Sequence, residues 1–393
     1  MESIELVSSP SQDTDTKTLS IASLSLNHFR NYTHVRLETT GEPVVLTGRN
    51  GAGKTNILEA ISLLTPGRGI RRAKISEIDN RNDAGQAWSV AANLTGMRGD
   101  IKVGTGRDPA NTNEINEKRI IRIDEKPARN QAELARHFAI IWLTPQMEQL
   151  FQEGASAARK FLDRLVYSFD PEHAARINEY DFAMRERNKL LQYDRPDAVW
   201  MEALEQTMAE TGAAIANARI HTVEHLNSAI QQSELSFPKA HIIITGMIED
   251  LLKLGTPAVQ IEEDFKSILK AGRRQDAAAG RTLSGVHRSE MRVNHVLKQM
   301  PAEVCSTGEQ KALLLSMVLA QARAGAQWHG VVPVLLLDEV IAHLDATRRL
   351  ELFEEICQIG AQTWMTGTDI APFAELKGKA QYYQIDNGHV IAS

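Results

Sequence analysis

Gly48-Arg49-Asn50-Gly51-Ala52-Gly53-Lys54-Thr55 has the residue types of a polyphosphate cradle, and the adjacent acids Asp338 and Glu339, nearly three hundred residues downstream, have the types that complete one. The octet fits G-x-x-x-x-G-K-[ST]. In that pattern glycines let successive backbone N–H groups curl around an anion, a lysine reaches the β- and γ-phosphates, and a hydroxyl meets Mg²⁺. Lys54 is thereby read as a phosphate ligand and Thr55 as a metal ligand. The run Val331-Val332-Pro333-Val334-Leu335-Leu336-Leu337 reads as a buried parallel strand, and an acid at the carboxyl end of such a strand, beside a phosphate loop, holds the metal. That acid is Asp338. Glu339 is then placed to orient and deprotonate a water, the general base of nucleotide hydrolysis.

A third constellation, Ser306-Thr307-Gly308-Glu309-Gln310-Lys311, comes shortly before Asp338 and opens a helix expected over Ala312 to Arg323. A Ser-x-Gly turn at a helix N-terminus offers a hydroxyl, backbone N–H groups and a positive dipole end to an anion. Ser306 with Glu309 also satisfies a capping box, and the two roles can coexist. In ABC-type ATPases the corresponding turn, here Ser306 and Gly308, caps the γ-phosphate held by a second subunit. His343-Leu344-Asp345 fits the D-loop place, with Asp345 at a dimer seam.

The elements that must position these residues follow from periodicity. Pro43 to Thr47 reads as a buried strand and Asn56 to Leu64 as the helix whose N-terminus faces the anion. Ile21 to Leu26 and His34 to Leu37 read as hairpin strands, and Ala87 to Leu94, Ile101 to Thr105 and Lys118 to Ile123 as further strands of an antiparallel sheet beside the site. Ala139 to Thr144 reads as another buried strand. The pattern then changes to helices at Ala155 to Ser168, Pro171 to Gln192 and Ala198 to Gln232, with a strand at His241 to Thr245 and a helix from Ile261 to Gly272. The expected fold class is α/β, a P-loop ATPase head split into 21–148 and 284–393 around an inserted, mostly helical lobe at 149–283. Residues 1–20 are rich in Ser, Thr and Asp and are expected to form a loose tail.

With 393 residues, 42% of them apolar, the chain is long enough for two domains and a sizeable core. Its two cysteines, Cys305 and Cys357, supply neither a disulfide framework nor zinc-ligand spacing, so a reducing, cytoplasmic setting is expected. No apolar run approaches the roughly 18 residues of a membrane span. The formal charge of −6 gives no global sign of nucleic-acid binding, so any such contact must come from local basic groups. Candidates are Arg68, Arg71, Arg72 and Lys74; Arg159, Lys160 and Arg164; Arg185, Arg187 and Lys189; and Arg273, Arg274 and Arg281.

The chain resembles the RecF family of the ABC/SMC-like ATPase group from about Leu19 to its C-terminus. The resemblance rests on Asn27-His28-Phe29-Arg30-Asn31-Tyr32, Gly48 to Ile61, Arg159-Lys160-Phe161-Leu162-Asp163-Arg164, Ser306 to Lys311, Leu336 to Glu339, and Thr366-Gly367-Thr368-Asp369. It implies an ABC/SMC-like head that binds ATP with Mg²⁺, forms an ATP-dependent homodimer and works as a weak, DNA-stimulated ATPase switch. It further implies binding to duplex DNA and single-strand/duplex junctions, with RecR and RecO-type partners, in recombinase loading, repair and replication restart. The family's Mg²⁺ and water sensor falls on Gln146 or Glu148, and its switch position on Thr366 or Thr368. The family's Gly-Pro-His-Arg-Asp-Asp-type stretch is only partly kept in Gly285-Val286-His287-Arg288-Ser289-Glu290. A cassette ATPase acting with a non-DNA partner is the competing reading. The insert's heptads are too poorly sustained for a long coiled-coil arm.

Overall fold

The computed structural model describes residues 16–80, 86–109, 118–193 and 197–392. Its central sheet runs in the order His389–Ala392, Gln381–Asp386, Val44–Thr47, Thr363–Gly367, Val334–Leu337 and Ile140–Leu143, parallel apart from the His389–Ala392 edge. The continuous apolar runs form such strands because both faces are covered. Successive side chains point to opposite faces. Val334 and Leu336 accordingly pack with Leu46, Ile57 and Trp364, while Leu335 and Leu337 pack with Leu162, Leu313 and Met365.

The first face is covered by the helix Lys54–Ser62 and a six-stranded antiparallel sheet in the order Tyr32–Glu38, Ser20–Phe29, Ser89–Gly96, Gly99–Arg107, Arg119–Ile123, Lys126–Pro127. The second is covered by the helices Ala155–Tyr167, Thr307–His329 and Ala346–Ile359. The helix expected to begin at Ala312 starts at Thr307 because Ser306 caps it. It continues to His329, where Gly330 takes the left-handed conformation that ends helices at little steric cost.

Residues 17–20, assigned to the expected loose tail, are instead built into the fold. Lys17–Thr18 pairs with Val331–Val332 and Leu19 is fully buried, because an apolar residue next to the first strand has a core to enter. Residues 1–15 of the expected tail lie outside the described residues.

The 35-residue helix Ala198–Gln232 is about 50 Å long at 1.5 Å per residue. Its first half, through Leu204, Met208 and Ile215, packs with Tyr180, Phe265 and Leu269 of the helices His173–Leu190 and Ala258–Ala279. Its second half, through Leu226 and Ile230, enters the core beneath the parallel sheet. A three-stranded sheet also joins the two regions: Ala240–Thr245 pairs with Glu290–His295, which pairs with Met300–Pro301. Helical periodicity marks where the lobe begins but is silent about which distant strand completes its sheet.

Candidate nucleotide-binding site

Strand register gathers the chemistry. Leu337 lies opposite Leu143 on one side and Met365 on the other, and Thr366 lies opposite Leu46. The residues that follow these strands therefore emerge together at the carboxyl edge of the sheet, where open α/β sheets bind ligands. Thr55 Oγ1 is 3.1 Å from both oxygens of the buried Asp338 carboxylate. Thr366 Oγ1 donates to Asp338 Oδ1 at 2.8 Å and accepts the Glu339 N–H at 2.9 Å. Thr366 is buried and Thr368 exposed, so Thr366 is the one that bridges the two acids. Glu339 has φ 54°, a left-handed conformation that costs a non-glycine residue on the order of 1–3 kcal/mol, and the Thr366 hydroxyl holds it there.

The phosphate loop is tightly built. Lys54 Nζ donates to the carbonyls of Gly48 at 2.6 Å and Arg49 at 3.0 Å. Burial lowers the affinity of this ammonium for its proton, and the nearby carboxylates Glu339 and Asp338 oppose that shift. Gly48 has φ +148°, and a Cβ there would stand 2.2 Å from the Ile385 carbonyl oxygen. Gly53 has φ +121°, and its Cβ would meet Asn31 Nδ2 and Tyr32 Oη at 2.6 Å.

Those last two contacts expose what motif spacing does not reveal. Asn31 Nδ2 donates to the Ala52 carbonyl at 2.9 Å, Tyr32 Oη donates to the Gly53 carbonyl at 3.0 Å, and Asn56 Nδ2 donates to Asn31 Oδ1 at 2.6 Å. Below them the buried Glu59 receives Arg30 at 2.8 and 2.5 Å and Arg71 at 2.9 Å. The antiparallel hairpin thus grips the phosphate loop from outside the motif. The run from Asn27 to Tyr32 carried the family resemblance, but nothing in its composition indicates this task.

Ser306 caps its helix through the full capping box, with Ser306 Oγ 2.9 Å and Ser306 N 3.1 Å from Glu309 Oε2. Hydrogen bonds from Lys298 and then Ser306 hold the Glu309 carboxyl at about 2. Among the described residues, no hydrogen bond joins Ser306 or Gly308 to residues 48–55 of the same chain. Asp345 caps Ala346–Ile359 by accepting the Arg348 N–H at 2.9 Å and is exposed. Gln146 is exposed, whereas Glu148 pairs with Lys311 at 2.8 Å and lines a small cavity with Gly308, Arg348 and Asp338.

The family model described as the RecF/RecN/SMC N terminal domain matches residues 20–377. A protein of Allorhizobium ampelinum named DNA replication and repair protein RecF is 45% identical over 93% of this chain and 97% of its own length. A protein of the same name from Rhizobium meliloti is 46% identical with the same coverage. The chain belongs to the RecF family. Among solved structures, the recombination mediator protein RecF-ATP in the RecFOR pathway superposes with TM-score 0.82, at 23% identity, over 96% of this chain and 99% of that one. The Smc head domain of Pyrococcus furiosus gives 0.53 at 16% identity over 95% and 96%. The fold is therefore the ABC/SMC-like ATPase head expected from the sequence.

The stretch Gly285 to Glu290 is tied into a buried polar junction between lobe and sheet. Arg219 donates to both Asp163 oxygens, at 2.8 and 2.9 Å, and to the Val286 carbonyl at 2.8 Å. His173 Nε2 lies 2.9 Å from Asp163 Oδ1, and Ser289 Oγ donates to the buried Glu249 at 2.5 Å. Burial would raise the Asp163 carboxyl, but Arg219 and then His173 outweigh it and hold the group at about 2, against 3.8 ordinarily. The stabilisation is thus fully present above about pH 4 and lost as pH falls through about 2, on the order of 2 kcal/mol by linkage. Asp163→Asn, which leaves Arg219 buried without its anion, is expected to destabilise the fold by roughly 3–5 kcal/mol at pH 7. Urea midpoints at pH 7 and from pH 5 to 2.5 check both points: the variant must show the larger loss at pH 7 and a shallower acid decline than the parent.

The basic groups divide as well. Arg187 is wholly buried, bound to Glu205 at 3.1 Å and Asp276 at 2.7 Å, and Arg273 binds the other Glu205 oxygen at 2.6 Å. These two hold the lobe together and are not free to meet a phosphate. Arg71 is taken by Glu59, and Arg159 donates to the Ser289 carbonyl at 2.7 Å.

Proposed function

We propose that this protein is an ATP-dependent, dimerising DNA-binding switch of repair, recombination and replication restart. Relatives of like length at about 45% identity are named DNA replication and repair proteins, which supports the biological setting. The observation that carries the mechanism is the hydrogen-bonded set Thr55–Asp338–Thr366–Glu339 at the mouth of the phosphate loop. A threonine hydroxyl facing a buried carboxylate is a hard-oxygen donor pair of the kind that suits Mg²⁺ in phosphate sites. Thr55 and Asp338 would hold that ion, and Lys54 with the backbone N–H groups of residues 48–55 would hold ATP. When bound, the ion supplies positive charge against the phosphate oxygens.

Glu339 is the base that takes a proton from the attacking water, and its strained backbone fixes where it starts. Glu148, which lines the Asp338 cavity, suits the sensor role better than the exposed Gln146. Ser306 and Gly308, which make no hydrogen bond to residues 48–55 of their own chain among the described residues, cap the nucleotide of a second copy, with Asp345 at the seam. Dimerisation is then conditional on the γ-phosphate, and slow hydrolysis releases it. RecR and RecO-type mediators are the expected partners, and duplex DNA and single-strand/duplex junctions the expected substrates. Hydrolysis is expected to be weak and stimulated by DNA.

Fluorescence anisotropy of the full chain on single-stranded, duplex and gapped DNA, with and without ATP across a salt series, tests this reading. Binding to duplex or gapped DNA that appears only with ATP is the expected result. Failure to bind any DNA under every condition would leave a cassette ATPase with a non-DNA partner as the better reading.

A further inference from the structure

Two of the basic groups noted in the sequence converge on one cavity, although about ninety residues separate them. The cavity, of about 140 Å³, is lined by Thr65, Gly67, Arg68 and Arg72 from the segment after the phosphate-loop helix, and by Lys160 and Arg164 from the helix Ala155–Tyr167. Trp142 forms part of its wall. At ~30 Å³ per water this is room for several waters, or for one tetrahedral anion in their place. None of the lining residues is acidic.

The cations differ in depth. Arg68, Arg72 and Lys160 are exposed at the rim, while Arg164 lies below them. The Arg164 guanidinium carbon stands 4.3 Å from the centre of the Trp142 ring and 5.2 Å from that of Phe161. Its Nε is shut off from solvent and has no hydrogen-bond partner among the described residues, where the guanidinium makes a weak contact from Nη2 to Met147 Sδ at 3.5 Å. Burial first, and then repulsion by Arg72, push the guanidinium down to about 9. Nearby carboxylates are engaged elsewhere: Asp163 with Arg219, Asp170 with Arg176, and Glu172 with Arg136. Asp181, near Lys160, is not among the lining residues.

A half-buried guanidinium whose Nε is cut off from water, with no carboxylate paired to it among the described residues, leaves a donor unsatisfied, and a second arginine facing it adds repulsion. Stacking on Trp142 and Phe161 explains why the arginine is tolerated but satisfies none of its in-plane N–H groups. The backbone adds a further sign. Arg72 has φ 52°, a strained conformation for a residue with a side chain, of the kind that clusters at ligand clamps. Gly67 at +100° and Gly69 at +67° let the same segment fold over the cavity. A tetrahedral dianion between Arg164 and Arg72 would relieve the repulsion and fill the open hydrogen bonds with charge-assisted ones.

We propose that the cavity between Arg68–Arg72 and Lys160–Arg164 binds a phosphate group, separate from the nucleotide held by Gly48 to Thr55. Its source is either a phosphate of DNA, which rests on the DNA-binding reading above, or free phosphate, which does not. Trp142 on the wall is a built-in reporter.

The test uses full-length protein carrying Lys54→Met, which weakens the phosphate loop as a competing site. Inorganic phosphate is titrated against Trp fluorescence, with Trp142→Phe as the control that identifies the signal. Saturable quenching is expected, weakened tenfold or more by Arg72→Ala and by Lys160→Ala, which lie at the exposed rim and leave the core intact. Arg164→Met should abolish it, provided the variant's melting curve remains cooperative. No saturable change, or the same change in both rim variants, would overturn the proposal.

DNA anisotropy on otherwise wild-type protein separates the sources. If Arg72→Ala lowers the slope of log K against log salt by about 1, the phosphate belongs to DNA. If the slope is unchanged while phosphate quenching is lost, the site takes free phosphate and stands on its own. Absence of any DNA binding by the parent would sink the DNA reading while leaving the phosphate titration to judge the cavity.

Discussion

Glu339→Gln protein is expected to hold ATP, remain dimeric and turn over about 10²–10⁴-fold more slowly than the parent, the usual effect of removing a positioned general base. The substitution keeps side-chain size and leaves the backbone N–H that donates to Thr366 in place, so the geometry around Asp338 survives. What disappears is the carboxylate assigned above to accept the proton. With nucleotide bound but not cleaved, the Ser306 turn of one copy stays against the phosphates of the other, and ATP-dependent DNA binding becomes long-lived. Single-turnover hydrolysis together with sedimentation in ATP measures both effects. An unchanged hydrolysis rate would remove Glu339 from the base role, and slowed hydrolysis without a trapped dimer would detach the Ser306 turn from the switch.

Lys54→Met has the opposite signature: nucleotide binding itself fails, and with it dimerisation and any ATP-dependent grip on DNA. Hydrogen bonds from a charged donor contribute roughly 1.5–3 kcal/mol each, so losing two to phosphate oxygens weakens ATP by about 10²-fold or more. Lys54 Nζ already donates to two loop carbonyls, so the variant also loses two hydrogen bonds within the loop. A thermal melt without nucleotide separates the causes. A parent-like melting temperature with lost ATP binding assigns the effect to the missing ammonium, whereas undiminished ATP affinity would contradict the phosphate role.

The contrast between these variants shows how unevenly the molecule can be read from its chain. That Thr55 and Asp338 meet was legible because the loop pattern and the buried strand beside it place particular residue types at fixed points of one sheet edge. The helices were legible as elements, and the 35-residue helix was placed to the residue, because a run that long shows its periodicity over many turns. Helix ends were harder: the Ala258–Ala279 helix extends beyond its strongly periodic centre at both ends, since its first turn is exposed and its last turns bury the carboxylate of Asp276 rather than an apolar stripe.

Local chemistry therefore determined the phosphate loop, the acids after the buried strand, the capped turn at Ser306 and the α/β class. Each depends on neighbours in sequence, where residue type and backbone geometry are directly linked. Tertiary structure alone decided that Asn31 and Tyr32 brace Ala52 and Gly53, that Thr366 rather than Thr368 joins Asp338 to Glu339, and that Glu148 rather than Gln146 lines the cavity beside them. It also sorted the basic groups. Arg187 and Arg273 were drawn into a buried ion network, while Arg72 and Arg164 were brought together with no carboxylate paired to either among the described residues. Charge runs look alike along a chain, and what distinguishes them is which carboxylates folding sets beside them, a matter of strand register and helix packing across hundreds of residues.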